Sequence, residues 1–211
     1  MGYYSDLFFR PKQAVRYSNE HPSAIRSFVF VLLGTFASLL SMLFLVGDFF
    51  PELLFSSFVG DVLRLVLGGF ILLVIGVVFK KTSVSVDSFL KVISMLSHLS
   101  VYGFVIFLLA GLIMPALLIP DVLQAGQMLE NGVIGLDEFN LVAESALSGI
   151  DSFSLLIGII LALVALVFGL LSLYTLYLAV YTFLNFTVFK TILVMVAYAI
   201  ILGSAAGLFL G

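Results

Sequence analysis

The chain has 211 residues, of which 63% are hydrophobic and 10% are charged, with a net charge of −3 at pH 7 and no cysteine. Ordinary soluble domains carry about 25% charged residues, so a soluble protein of this size could not cover its surface, and the excess apolar surface must face lipid. The same composition excludes disulfide and thiol chemistry, and it leaves no room for a nucleic-acid-binding patch or a second soluble domain.

The first predicted element is a short basic helix between Pro11 and Pro22, because proline suits the first position of a helix and also ends one. Apolar side chains gather on one face of this helix: Phe8, Pro11, Ala14 and Val15. Residues 1–26 are therefore predicted to form a cytoplasmic segment with an amphipathic helix in the membrane interface. Its basic residues Arg10, Lys12 and Arg16 would contact anionic headgroups. A solvated tail is the alternative, since ten residues make a marginal helix in water.

Residues 27–211 are predicted to form one all-α transmembrane domain, because five apolar segments are each about long enough to cross the hydrocarbon core. The predicted spans are Ser27–Val46, Val62–Phe79, Leu99–Ile119, Phe153–Leu178 and Phe189–Leu210. Arg64 lies near one end of the second span, where its guanidinium would reach water beside Asp61. The chain must turn between the fourth and fifth spans, and Asn185 is the one good turn former near Lys190.

The basic residues predict the orientation of these spans, since cytoplasmic loops carry an excess of Lys and Arg. With the N-terminus inside and the C-terminus outside, every basic residue except Arg64 is cytoplasmic, and most acidic residues are outside. The outer segment 120–151 reads as two short amphipathic helices on the outer membrane surface. In the second of them, Asp137 would cap the start and Gly149 would end it. The inner loop is predicted to begin the third span's helix at Asp87, with Lys91 one turn on.

Residues that could carry chemistry are few, so the sequence predicts no enzyme, no cofactor and no metal site. His21 and His98 are the only histidines, and no second ligand lies at helical spacing from His98. The outer carboxylates match no calcium-loop spacing and read as a solvated acidic face. We also expect no ionisable group at mid-membrane, where an ion or proton pathway usually carries one.

Small residues at close-packing spacing predict helix–helix contacts. They are Gly158 and Gly169 on the fourth span and Gly203 and Gly207 on the fifth. Two uses remain open from the sequence: packing among the five helices of one chain, or a homodimer. A polar aromatic stretch around Tyr174 and Tyr177 is typical of an interfacial tyrosine belt.

Three stretches resemble the Yip (Ypt/Rab-interacting protein) membrane family, in its prokaryotic branch. They are LFFRPKQAVRYSNEHPSAIRSFVF, FKKTSVSVDSFLKVISMLSHLSVYGFVIFLLAGLI and YLAVYTFLNFTVFKTILVMVAYAI. The resemblance implies a cytosolic N-terminus, five spans, a short C-terminal tail on the far side and an association with membrane trafficking. It implies a prokaryotic plasma membrane as the location, and it transfers no catalytic or binding residue.

The sequence therefore predicts a non-enzymatic membrane scaffold or membrane-organising protein. Its partners would be the lipid bilayer, with anionic lipids at the inner face, and a protein partner or second copy, with no nucleic acid. The alternative is a small transporter or channel subunit with a polar gap near Tyr174 and Tyr177. A dense bundle would favour the scaffold, and a hydrated cavity between the spans would favour transport.

Overall fold

The computed structural model describes residues 3–46 and 51–210, without the side chains of residues 38, 41–46, 51–54, 130, 147 and 205–210. In this part of the chain the regular elements are all helical. They are α1 Tyr3–Phe9, α2 Pro11–Glu20, α3 Ala24–Val46, α4 Pro51–Val78, α5 Val86–Leu96, α6 His98–Ile106, a π-helical turn Phe107–Ile113, α7 Met114–Leu118, α8 Pro120–Glu130, α9 Leu136–Ser148, α10 Ser152–Leu184 and α11 Val188–Leu210. The predicted all-α class is confirmed.

Three helical stretches are long and apolar enough to cross a membrane: Phe55–Val78, Val86–Leu118 and Ser152–Leu184. Two shorter apolar helices, Ala24–Ala37 and Val188–Ser204, lie where the first and fifth spans were predicted. Each predicted span therefore coincides with an apolar helix, and the chain is a multi-pass membrane protein. Helix α4, which contains the second predicted span, begins at Pro51 rather than at Val62 and runs unbroken from there.

The buried core lies where α4, α5, α10 and α11 meet, and α2 closes one side of it. Leu72, Val92, Met95 and Leu184 are its centre, and Val15 of α2 packs into the same cluster. Helices α4 and α5 approach closely at Gly69, where an added Cβ would lie 3.0 Å from Ile93 Cγ1. These buried side chains form the core at the end of the bundle against which α2 packs.

The predicted turn between the last two long helices is at Asn185. Helix α10 continues six residues past the predicted end at Leu178 and stops at Leu184. Asn185 has φ 48° and ψ 48°, a left-handed conformation that asparagine tolerates better than most residues. Its backbone N–H still bonds the carbonyl of Tyr181. Helix α11 then begins at Val188, so three residues reverse the chain.

A π-helical turn interrupts the long stretch Val86–Leu118 just before Pro115. The amide of Met114 bonds the carbonyl of Leu109, five residues back. Proline removes one backbone donor and crowds the preceding turn of a helix, and a π turn widens the helix where that occurs. The stretch therefore passes through Pro115 without ending.

Two helices, α8 and α9, fill the predicted outer segment and pack on each other. Helix α9 begins after Gly135, whose amide N–H donates to the Glu138 carboxylate at 3.3 Å. Asp137 therefore lies in the first turn of α9 instead of capping the helix. Gly149 follows the last turn as predicted. In the predicted inner loop, α5 begins one residue before Asp87, after the cap Ser85, and Asp87 pairs with Lys91 at 2.6 Å.

Candidate functional site at the docked N-terminal helices

Helices α1 and α2 form a segment that is folded onto the bundle. The chain bends at Arg10, and Pro11 opens α2 as predicted, since the missing amide of proline costs nothing at a helix start. Ala14, Val15 and Ser18 lie on the buried face of α2, and Leu7 of α1 is buried beside them. The solvated-tail alternative is therefore not what the structure shows. The apolar face that was expected to enter lipid contacts α5 and α10.

A closed triangle of polar atoms joins this segment to α6. Tyr3 Oη lies 2.6 Å from His98 Nε2 and 3.0 Å from Ser18 Oγ, and Ser18 Oγ lies 3.0 Å from His98 Nε2. His98 and Ser18 are both fully buried. Buried polar groups are costly unless they are paired, so the three side chains depend on one another. His98 is therefore a buried hydrogen-bonding residue, and its Nδ1 has no partner among the described residues.

Arg26 of α3 covers this triangle. Its guanidinium carbon lies 4.6 Å from the ring centre of Tyr3 and 5.4 Å from that of Tyr17, and one of its nitrogens donates to the carbonyl of His21 at 2.7 Å. Burial raises the pKa of the Tyr3 phenol, while its hydrogen bond with Ser18 and the charge of Arg26 oppose that shift. Stacking and hydrogen bonding hold Arg26 in place, so it attaches α1 and α2 to the start of α3.

A second set of contacts fixes α1 against α6 and α10. Tyr102 Oη donates to the carbonyl of Leu7 at 2.5 Å, and Thr175 Oγ1 donates to Tyr102 Oη at 3.2 Å. The ring of Phe8 meets the rings of Tyr102 and Phe168 edge-on. Tyr102 and Thr175 are fully buried. Their hydrogen bonds therefore link α1 to α10 through the interior of the bundle.

The three predicted membrane-surface residues all lie on the exposed side of the segment. Arg10, Lys12 and Arg16 are exposed, and Arg16 Nε donates to Glu20 at 2.9 Å, one turn later. An exposed pair of this kind contributes little to stability. The arrangement can therefore present positive charge to an anionic surface while the opposite face stays attached to the bundle.

The predicted packing glycines have different surroundings. Gly158 is buried, and an added Cβ there would lie 2.7 Å from Leu118 Cδ1, so α10 approaches α7 closely at that point. Gly169 and Gly203 have open space where a Cβ would be, and Gly207 lies outside the residues whose side chains are described. Sequence reasoning missed Tyr3, Ser18, Tyr102 and Thr175. Only Ser18 left a signal, because it follows Ala14 by four residues on the apolar face.

A cavity of about 640 Å³ lies among α3, α4, α6 and α11, rather than near Tyr174 and Tyr177. Asp61 and Arg64 face it, with Asp61 Oδ1 3.5 Å from an Arg64 nitrogen. Both residues lie inside the stretch Phe55–Val78. Arg64 lies beside Asp61 as predicted, and the absence of an ionisable group at mid-membrane stays a prediction. Within the described ranges, no cluster of three or more His, Asp or Glu side chains could hold a metal ion.

Comparison with known families gives one match. A family model described as Yip1 domain matches residues 5–210, which is nearly the whole chain, including most of the docked segment and every long helix. No curated protein and no solved structure matches the chain at a significant level.

Proposed function

The chain belongs to the Yip1 domain family, and we propose that it is a non-enzymatic membrane scaffold of the trafficking type that acts through lipid or protein partners. The docked N-terminal segment is the observation that carries this proposal. Its apolar face is covered by the bundle, while Arg10, Lys12 and Arg16 stay exposed. A basic surface held rigidly on a membrane-embedded bundle suits the binding of an acidic partner.

We further propose that all five apolar helices cross the bilayer, with the N-terminus in the cytoplasm and the C-terminus outside. Helices α8 and α9 then lie on the outer face, and α2 lies at the inner surface. The asymmetry of basic residues supports this orientation. The prokaryotic plasma membrane is the compartment favoured by the resemblance of the opening, inner-loop and final-turn stretches to the prokaryotic branch.

The lipid part of the proposal is tested on the full chain in lipid nanodiscs, using a spin label at Gln13→Cys. Gln13 is exposed on α2, and the chain has no other cysteine. We expect the label to lose mobility when the bilayer contains anionic lipid, and moderate salt to restore it, because salt screens exposed charges. The double variant Lys12→Gln, Arg16→Gln should remove this dependence on anionic lipid. The control Lys81→Gln, in the loop between α4 and α5, should keep it. A label that behaves identically in neutral and anionic bilayers refutes the lipid role.

The protein part is tested by co-purification of the full chain in mild detergent, where a reproducible partner supports the scaffold. A second copy is one candidate, because the open space at Gly169 and Gly203 leaves room for another helix. Substitution of both glycines by leucine should then weaken self-association, and Gly103→Leu, which also meets open space, is the matched control.

A small transporter or channel subunit is the second candidate function, and the cavity beside Asp61 and Arg64 favours it. Solute flux into vesicles that contain the purified chain separates the two functions. Flux that depends on Asp61 would replace the scaffold proposal.

A further inference from the structure

The cavity among α3, α4, α6 and α11 is lined by charged or polar side chains together with apolar ones. Asp61, Arg64, Ser57 and Ser100 are of the first kind, and Leu99 and Phe107 are of the second. Its volume of about 640 Å³ falls within the usual range of small-molecule sites, about 300–1,000 Å³. Such a cavity is suited to a molecule with a polar head and an apolar body.

The two charges lie well inside the helix that is predicted to cross the bilayer. Asp61 and Arg64 both belong to the apolar stretch Phe55–Val78. That stretch has 24 residues, and at 1.5 Å per residue it is about 36 Å long, enough to cross a hydrocarbon core about 30 Å thick. Ionisable residues within a membrane-spanning helix usually face a cavity or the bundle interior and mark binding sites or pathways.

The carboxylate of Asp61 accepts a hydrogen bond within the bundle, whereas the guanidinium of Arg64 makes one long contact with that carboxylate. Thr35 Oγ1 donates to Asp61 Oδ2 at 2.7 Å. Arg64 meets Asp61 at 3.5 Å, which is longer than the 2.7–2.9 Å typical of a charge-assisted hydrogen bond. A guanidinium has five N–H donors, and the side chain of Arg64 is 56% exposed. Arg64 therefore keeps most of its donors free for an oxyanion in the cavity.

We propose that this cavity binds the headgroup of a zwitterionic phospholipid with a primary ammonium group, such as phosphatidylethanolamine. The phosphate binds Arg64, because a guanidinium matches phosphate oxygens in a planar fork. The ammonium donates to Asp61 Oδ1, the carboxylate oxygen that does not accept from Thr35. An acyl chain lies against Leu99 and Phe107.

Charge balance selects the zwitterion. Asp61 and Arg64 together carry no net charge, so a neutral zwitterion keeps the cavity neutral. An anionic headgroup would leave a net negative charge in a medium of low dielectric constant, which is costly. A trimethylated ammonium has no N–H to donate to Asp61. The assignment goes beyond the scaffold proposal, because the cavity and the basic surface of α2 share no residue.

Native mass spectrometry of the full chain tests the assignment after equilibration in mild detergent with equal amounts of phosphatidylethanolamine, phosphatidylcholine and phosphatidylglycerol. We expect the wild-type chain to retain phosphatidylethanolamine over the other two by about tenfold, the contribution of one charge-assisted hydrogen bond. Arg64→Gln should lose retention of all three lipids. Asp61→Asn should reverse the preference toward phosphatidylglycerol, because the cavity then carries one positive charge.

A steric variant keeps the test decisive if a charge variant fails to fold. Gly103 lines the cavity, and an added Cβ there meets nothing within 4 Å. Gly103→Leu should therefore fill the cavity and reduce the retention of phosphatidylethanolamine. Gly169→Leu also meets open space but lies outside the cavity, so it should leave the retention of phosphatidylethanolamine unchanged.

Several outcomes overturn the assignment. Equal retention of the three lipids by the wild-type chain, or equal behaviour of Gly103→Leu and Gly169→Leu, removes the lipid site. Displacement of the lipid by millimolar soluble phosphoethanolamine would identify an aqueous ligand instead. Ion or solute flux that Asp61→Asn abolishes without changing lipid retention would make the cavity part of a transport path. None of these results bears on the binding of α2 to anionic lipid.

Discussion

The substitution Tyr3→Phe should loosen the docked N-terminal helices without unfolding the bundle. It removes one hydroxyl, which makes contacts of 2.6 Å to His98 and 3.0 Å to Ser18. Each hydrogen bond contributes about 0.5–1.5 kcal/mol net. Because the contact between Ser18 and His98 survives, we expect a total loss of about 1–2 kcal/mol. That loss raises the opening equilibrium of the segment by about 5–30-fold.

Hydrogen exchange of the α2 backbone amides measures this opening directly. In the full chain, the amides of residues 13–20 should exchange about 5–30-fold faster in Tyr3→Phe than in the wild-type chain. The exchange rates of the α10 amides should not change. Tyr4→Phe is the matched control, because it makes the same chemical change at a neighbouring tyrosine that is 67% exposed. Equal exchange of α2 in the two variants would refute the role assigned to the buried triangle.

Three further predictions follow from local features. Burial raises the pKa of Tyr3 above its usual 10.0. The contribution of Tyr3 to stability is therefore complete below pH 10 and is lost as the pH rises through the raised pKa. Protection of the α2 amides from hydrogen exchange should fall above pH 10 in the wild-type chain and much less in Tyr3→Phe. Asn185→Val should lower the free energy of unfolding by about 1–2 kcal/mol, because a β-branched residue is strained in the left-handed conformation of this position. Asn185→Gly should be neutral or stabilising. Equal thermal unfolding midpoints for the two variants would contradict this account of the turn. Single cysteines at Lys81 and Glu138 should label from opposite sides of intact vesicles, and labelling from one side would overturn the five-span topology.

Local features of the fold were readable from the sequence because neighbouring residues specify them. Pro11 opens α2 through its own ring, and Asn185 reverses the chain through its own backbone preference. The apolar composition placed the long helices in a membrane, since no soluble fold could bury so much apolar surface. The sequence did not show where the helix that contains the second predicted span begins. The apolar run predicts the span from Val62, whereas the helix itself starts at Pro51.

The sequence by itself determined that this is a multi-pass helical membrane protein, and it predicted a basic amphipathic opening helix. Only the tertiary structure decided what covers each apolar face and which distant residues meet. His98 meets Tyr3 from 95 residues away and Ser18 from 80 residues away, and no local pattern encodes such pairs. The physical reason is that hydrophobic periodicity shows only that a face avoids water. Lipid tails and buried side chains are equally apolar, so the choice between lipid and protein, and the partner of each buried polar group, depends on how the helices pack.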